Sequence, residues 1–157
     1  SMQLEPLEWM VEESGLRMQR KLPNGISFGS TVSHDESSVT MEMWLTNGTD
    51  QPLTGLRSQV CVMLKGLVGF NSQRRRPERV DGSLVAVQGD RSNRWVITSW
   101  QPIHRVWTNP PVPCLHADPM FPDCAPGETV RVQGKLWFYE GDDIDAEIQR
   151  LKASIQS

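Results

Sequence analysis

The chain has 157 residues, 38% of them hydrophobic and 22% charged, which suffices for one hydrophobic core and is too little for two well-filled ones. Sixteen Lys and Arg against nineteen Asp and Glu give a formal charge of −3, which argues against an electrostatic nucleic-acid binder. No apolar run approaches the roughly 20 residues of a membrane-spanning helix, and the polar, acidic stretch from Ser1 to Glu13 is no signal peptide. Ser1-Met2 has the look of a cloning remnant. If a signal peptide once preceded it, a secreted or periplasmic location is the favoured expectation. Six Trp beside a single Tyr, with eleven Pro and twelve Gly spread along the chain, predict many turns and few long helices.

Leu16 to Leu22 alternates weakly and ends at Pro23-Asn24-Gly25, where Asn-Gly suits the positive φ of a tight hairpin turn. Ile26 to Ser33 is the expected return strand. Val39 to Thr46 alternates clearly, with Val39, Met41, Met43 and Leu45 on one face and Thr40, Glu42, Trp44 and Thr46 on the other. Leu53 to Leu64 reads as one long strand, with Leu56, Val60, Val62 and Leu64 on one side and Arg57, Gln59, Cys61 and Met63 opposite. Lys65 to Arg79 is a loop carrying Arg74-Arg75-Arg76, a solvated basic patch or, alternatively, an oxyanion contact. Ser83 to Gln88, Arg94 to Trp100 and Ile103 to Thr108 follow as strands.

Asn109 to Gly127 holds six prolines, at 110, 111, 113, 119, 122 and 126, so the expectation is an irregular loop of structural or functional importance and no regular ladder strand. Glu128 to Tyr139 is a strong alternating strand. Ile144, Ile148, Leu151 and Ile155 then form one helical stripe, with Asp142 or Asp143 available as a cap, which predicts a helix over about 143–153. The fold class expected is all-β: an antiparallel two-layer β-sandwich, jelly-roll or Ig-like, with one C-terminal α-helix. It is expected to form a single domain over residues 1–157. A closed barrel is the alternative, since periodicity does not separate a closed sheet from two packed ones.

Two residue groups point to chemistry. In Val130 to Tyr139, Trp137 and Tyr139 share a face with Arg131, Gln133 and Lys135, and Trp44 sits beside Glu42 on its own strand. Aromatic rings among such side chains make a platform on which a sugar's C–H face stacks while Glu42, Arg131 and Gln133 bond its hydroxyls. Trp107 and Trp100 would flank or support it. The competing explanation is that these rings are covered by a loop or by the C-terminal helix.

The second group is Cys114, His116 and Asp118, whose alternate positions in extended chain point one way, followed by Cys124. Thiolate, imidazole and carboxylate together suit zinc. A Cys114–Cys124 disulfide stands ahead of this reading and would contribute about 2–3 kcal/mol by closing the loop. Buried thiols also stand ahead of it. Cys61 could join any of these arrangements as a fourth soft group. Asn47-Gly48-Thr49 matches a glycosylation acceptor and equally well a hairpin turn.

In architecture and aromatic content the chain resembles the small β-sandwich accessory modules that accompany carbohydrate-active enzymes. The resemblance implies a non-catalytic module that binds a polysaccharide or oligosaccharide. The alternatives are a zinc-like metal protein or metalloenzyme built on residues 114, 116, 118 and 124, and a protein-interaction domain using the Trp-rich face.

Overall fold

The computed structural model describes residues 5–72, 78–90, 93–109 and 111–156. Arg74-Arg75-Arg76 lies outside them. Eleven strands and one helix make up the described chain: β1 (Met10–Glu12), β2 (Gly15–Lys21), β3 (Ser27–His34), β4 (Ser38–Thr46), β5 (Cys61–Met63), β6 (Glu78–Asp81), β7 (Leu84–Gln88), β8 (Arg94–Gln101), β9 (Ile103–Thr108), β10 (Cys114–Pro119), β11 (Thr129–Glu140) and α1 (Ile144–Gln156). All ladders are antiparallel. Eight strands form one sheet in the order β1-β2-β3-β4-β11-β8-β7-β6, and three form a second in the order β5-β10-β9.

Strand alternation builds the core between the sheets. Val85 and Val87 from β7, Val96 and Trp100 from β8 and Val132 from β11 pack with Leu115 and Ala117 from β10, with Met41 and Met43 at the margin. Trp100 lies across its strand partner Gly134, where a Cβ would come within 2.3 Å of the indole. Only glycine leaves room for that ring.

The opposite face of β7, β8 and β11 is apolar at one end and meets α1. Ile144, Ile148 and Leu151 close over Leu84, Ala86, Trp95, Ile97 and Trp137. The helix starts where expected, with Asp143 Oδ1 accepting the Ala146 N–H at 3.0 Å, and it runs to Gln156. The hairpin at residues 22–26 also forms, with Gly25 at φ 93°.

Two expectations change, and one residue departs from the alternation of its strand. Leu53 to Leu64 is not one long strand: only Cys61–Met63 pairs continuously, after isolated bridges at Leu53 and Arg57. Gly55 turns the chain at φ 64°, and the Val60 N–H bonds the Asp118 side chain at 3.0 Å in place of a ladder carbonyl. The proline-rich stretch contains a true ladder strand, since residues 114–118 are proline-free and β10 pairs on both sides, with a register shift where Pro119 ends it. Phe138 belongs by alternation to the inner face, yet it is 52% exposed at the end of β11.

Asn47 explains its motif structurally. It is fully buried: its Nδ2 donates to the carbonyls of Gln51 and Cys124, and its Oδ1 accepts from the Thr49 N–H and hydroxyl. An amide so committed is not a surface glycan acceptor.

Candidate functional site

Apart from Trp100 and Cys124, the candidate residues lie on outer faces, away from the inter-sheet core. On the large sheet, register sets Arg131 opposite Trp44, Gln133 opposite Glu42 and Lys135 opposite Thr40. Beyond the end of α1 this face is open. Trp44 is half-buried there and leans on its partner Gly29, where a Cβ would meet the indole at 2.6 Å. The Arg131 guanidinium donates to the Glu42 carboxylate beside it. Next to this pair a cleft of about 290 Å³ lies between the sheet and the last turn of α1, lined by Thr40, Ser99, Gln101, Gln133, Gly134, Lys135, Trp137, Ser154 and Ile155. A second depression, of about 370 Å³, adjoins Trp44 and is lined by Gln19, Arg20, Lys21, Ser27 and Thr46.

The structure thus brings Trp44, Glu42, Arg131, Gln133 and Trp137 onto one face, but the rings do not form the expected outward platform. Trp137 is only 6% exposed because α1 covers it, although it contributes to the cleft wall. Tyr139 is partly buried against the helix start, where its hydroxyl donates to the Asp143 carbonyl at 3.3 Å. Trp100 is in the inter-sheet core. Trp107 does not flank this face at all; it belongs to the small sheet.

On the small sheet, side chains of neighbouring strands fall in rows. Cys61, His116 and Trp107 lie side by side across β5, β10 and β9; Met63 pairs with Cys114, and Asp118 with Arg105. Cys114, His116 and Asp118 are buried, whereas Cys61 is exposed. The Trp107 indole stacks on the His116 imidazole at 4.0 Å between centroids and 16° between planes, and the Arg105 guanidinium sits 5.0 Å from the indole centroid. Asp118 Oδ2 accepts from Arg105 Nε at 2.8 Å and from Trp107 Nε1 at 2.9 Å, while Oδ1 accepts from the Val60 N–H. Burial alone would raise the Asp118 carboxyl above its ordinary range; these donors and the Arg105 charge outweigh it and hold the group below.

The Cys114 Sγ lies 3.4 Å from His116 Nε2, and the other ring nitrogen, Nδ1, is buried without a hydrogen bond, 3.7 Å from Asp118 Oδ1. The ligand atoms of Cys61, Cys114 and His116 all lie within 4.8 Å of one another. Partial burial and the neighbouring Cys114 push the Cys61 thiol above its usual range.

This grouping differs from the one expected. Cys124 is fully buried elsewhere, bonded through its backbone to Leu53, with its sulfur 3.3 Å from the Glu128 carbonyl. Cys114 and Cys124 are free thiols, so no bridge closes the proline-rich stretch. Asp118 faces the imidazole instead of the sulfurs. The sequence signal for Cys61 was its place on the polar side of its own strand; what it lacked was the partner strand.

No family model matches the sequence, and no curated protein does. The fold, however, recurs among solved structures. The chain superposes on one described as a kojibiose phosphorylase from the human microbiome, with a TM-score of 0.61 and 11% identity, over 98% of this chain and 23% of that one. It also superposes on the Slr1438 protein of Synechocystis sp. PCC 6803, with a TM-score of 0.55 and 10% identity, over 87% of this chain and 66% of that one. This chain therefore spans under a quarter of the first protein and about two thirds of the second. At such identities the likeness is one of fold: an all-β, two-sheet sandwich. Among the described residues no helix is long and apolar enough to cross a membrane.

Proposed function

We propose that this chain is a non-catalytic module that binds a carbohydrate or a similar polyhydroxylated ligand on the open half of the large sheet's outer face. The observation that carries this reading is the cleft beside α1. Thr40, Gln101, Gln133, Lys135 and Ser154 line it together with Trp137. Amide, ammonium and hydroxyl groups supply the mixed donors and acceptors that sugar hydroxyls need, and the indole supplies an apolar wall. The volume is near the lower end of the roughly 300–1,000 Å³ of small-ligand sites, which suits a single sugar ring.

None of the described lining residues is a carboxylate, the group glycoside hydrolysis needs as a pair, so binding is favoured over cleavage. The fold shared with a chain described as a sugar phosphorylase adds support of a general kind.

An affinity-gel or glycan-array screen tests the reading, with Gln133→Ala and Lys135→Ala as variants because both side chains are exposed and neither supports the core. Retention of the native chain, weakened about 5-fold by each variant through the loss of roughly 1 kcal/mol of hydrogen bonding, is the expected result. Absence of retention on any glycan, or equal retention by both variants, overturns it.

A further inference from the structure

We propose that Cys61, Cys114 and His116 form a zinc-binding site on the outer face of the three-stranded sheet, with Asp118 orienting the imidazole. The ladder itself assembles the donors. Register places Cys61 directly across from His116, and Cys114 sits two positions from His116 on the same face of β10. Two sulfurs and an imidazole nitrogen from two strands thus converge within 4.8 Å without help from any loop.

The Cys114–His116 pair already has the spacing of two zinc ligands. Tetrahedral zinc, with Zn–S near 2.3 Å and Zn–N near 2.0 Å, sets a sulfur and a nitrogen ligand about 3.5 Å apart. The Cys114 Sγ to His116 Nε2 separation is 3.4 Å. Two thiolates and an imidazole select zinc over the hard cations calcium and magnesium. Binding would release the two thiol protons to solvent, and the two thiolates would then neutralise the dication.

The surroundings of His116 supply an independent argument. Its Nδ1 is buried and has no hydrogen-bond partner, an expensive condition in a residue only 2% exposed. Metal at Nε2 would put the ring proton on Nδ1, facing Asp118 Oδ1 at 3.7 Å. Closing that gap to hydrogen-bond length on metal binding would give the carboxylate–histidine–metal arrangement, in which the outer carboxylate fixes tautomer and ring orientation. Trp107, stacked on the ring, holds its plane from the other side. Three protein ligands leave a fourth position, and the exposure of Cys61 opens it to water or an external ligand.

The test uses the full chain, reduced and stripped with a chelator, then titrated with Zn²⁺ against a chromophoric chelator and with Co²⁺ by absorption. One equivalent should bind, with thiolate-to-cobalt charge-transfer bands and a change in Trp fluorescence from Trp107. Cys61→Ser changes an exposed side chain, so circular dichroism should show native folding. Its zinc affinity should fall by more than the roughly 10–100-fold that outer-shell changes cost. Cys124→Ser should bind as the native chain does. The proposal fails if the reduced chain binds no stoichiometric metal, if folded Cys61→Ser binds equally well, or if Cys61 and Cys114 are found joined as a disulfide in a chain that takes up no zinc once reduced.

Discussion

The outer faces of the two sheets are both covered in part, but by different means. Over the large sheet the cover is a separate element, α1, which buries Trp95 and Trp137 and stops short of Trp44. Over the small sheet the flanking strands do the covering: Trp107 and Arg105 of β9 lean across β10, where Trp107 stacks on the buried His116 and both bond the buried Asp118. The first cover is apolar and ends abruptly, so a cleft forms at its edge. The second is polar and charged, so it holds the Asp118 carboxylate inside with both of its oxygens bonded, while His116 Nδ1 stays unbonded.

Removing the helical cover should have the largest effect. Ile148→Ala deletes a side chain only 3% exposed and should cost about 2–5 kcal/mol, read by denaturant unfolding. It should also raise the quenching of indole fluorescence by acrylamide as Trp95 and Trp137 become accessible. Unchanged quenching in a destabilised chain would break the assignment of α1 as their cover. On the small sheet the probe is Asp118→Asn, isosteric but without the charge that accepts from Arg105 and Trp107. A loss of about 1.5–3 kcal/mol is expected, with a shifted Trp emission. A neutral outcome would mean that Asp118 is not what holds the strand cover in place. The smallest effect should come from the open half of the large sheet. Arg131→Ala breaks an ion pair in which Arg131 is 54% exposed, and should change stability by less than about 1 kcal/mol. A larger loss would show that this half is more tightly organised than its exposure implies.

The two strands most informative about function differ in how far their residues could be read. In β11 the alternation was plain, and Arg131, Gln133 and Lys135 do point outward. Trp137 follows the same alternation yet is buried, because period two tells the side of the sheet and nothing about what lies on it. In β10 the prolines at 113 and 119 masked a strand that begins just after the first and ends at the second. Alternation of residues 114, 116 and 118 still indicated one shared face. Cys124, nearby in sequence, is far from that face in function because it pairs with Leu53, while Cys61, on a distant strand, is beside it.

The sequence by itself determined most strand faces, the helical stripe with Asp142 or Asp143 as its cap, and the antiparallel all-β class. All of these follow from interactions between residues close along the chain, or from the two-residue pleat. Only the tertiary structure decided which outward rings are covered, where the cleft opens, and that Cys61 joins Cys114 and His116. Cover and clustering depend on which distant segments pack or pair, and strand register is a contact between segments that no local pattern encodes.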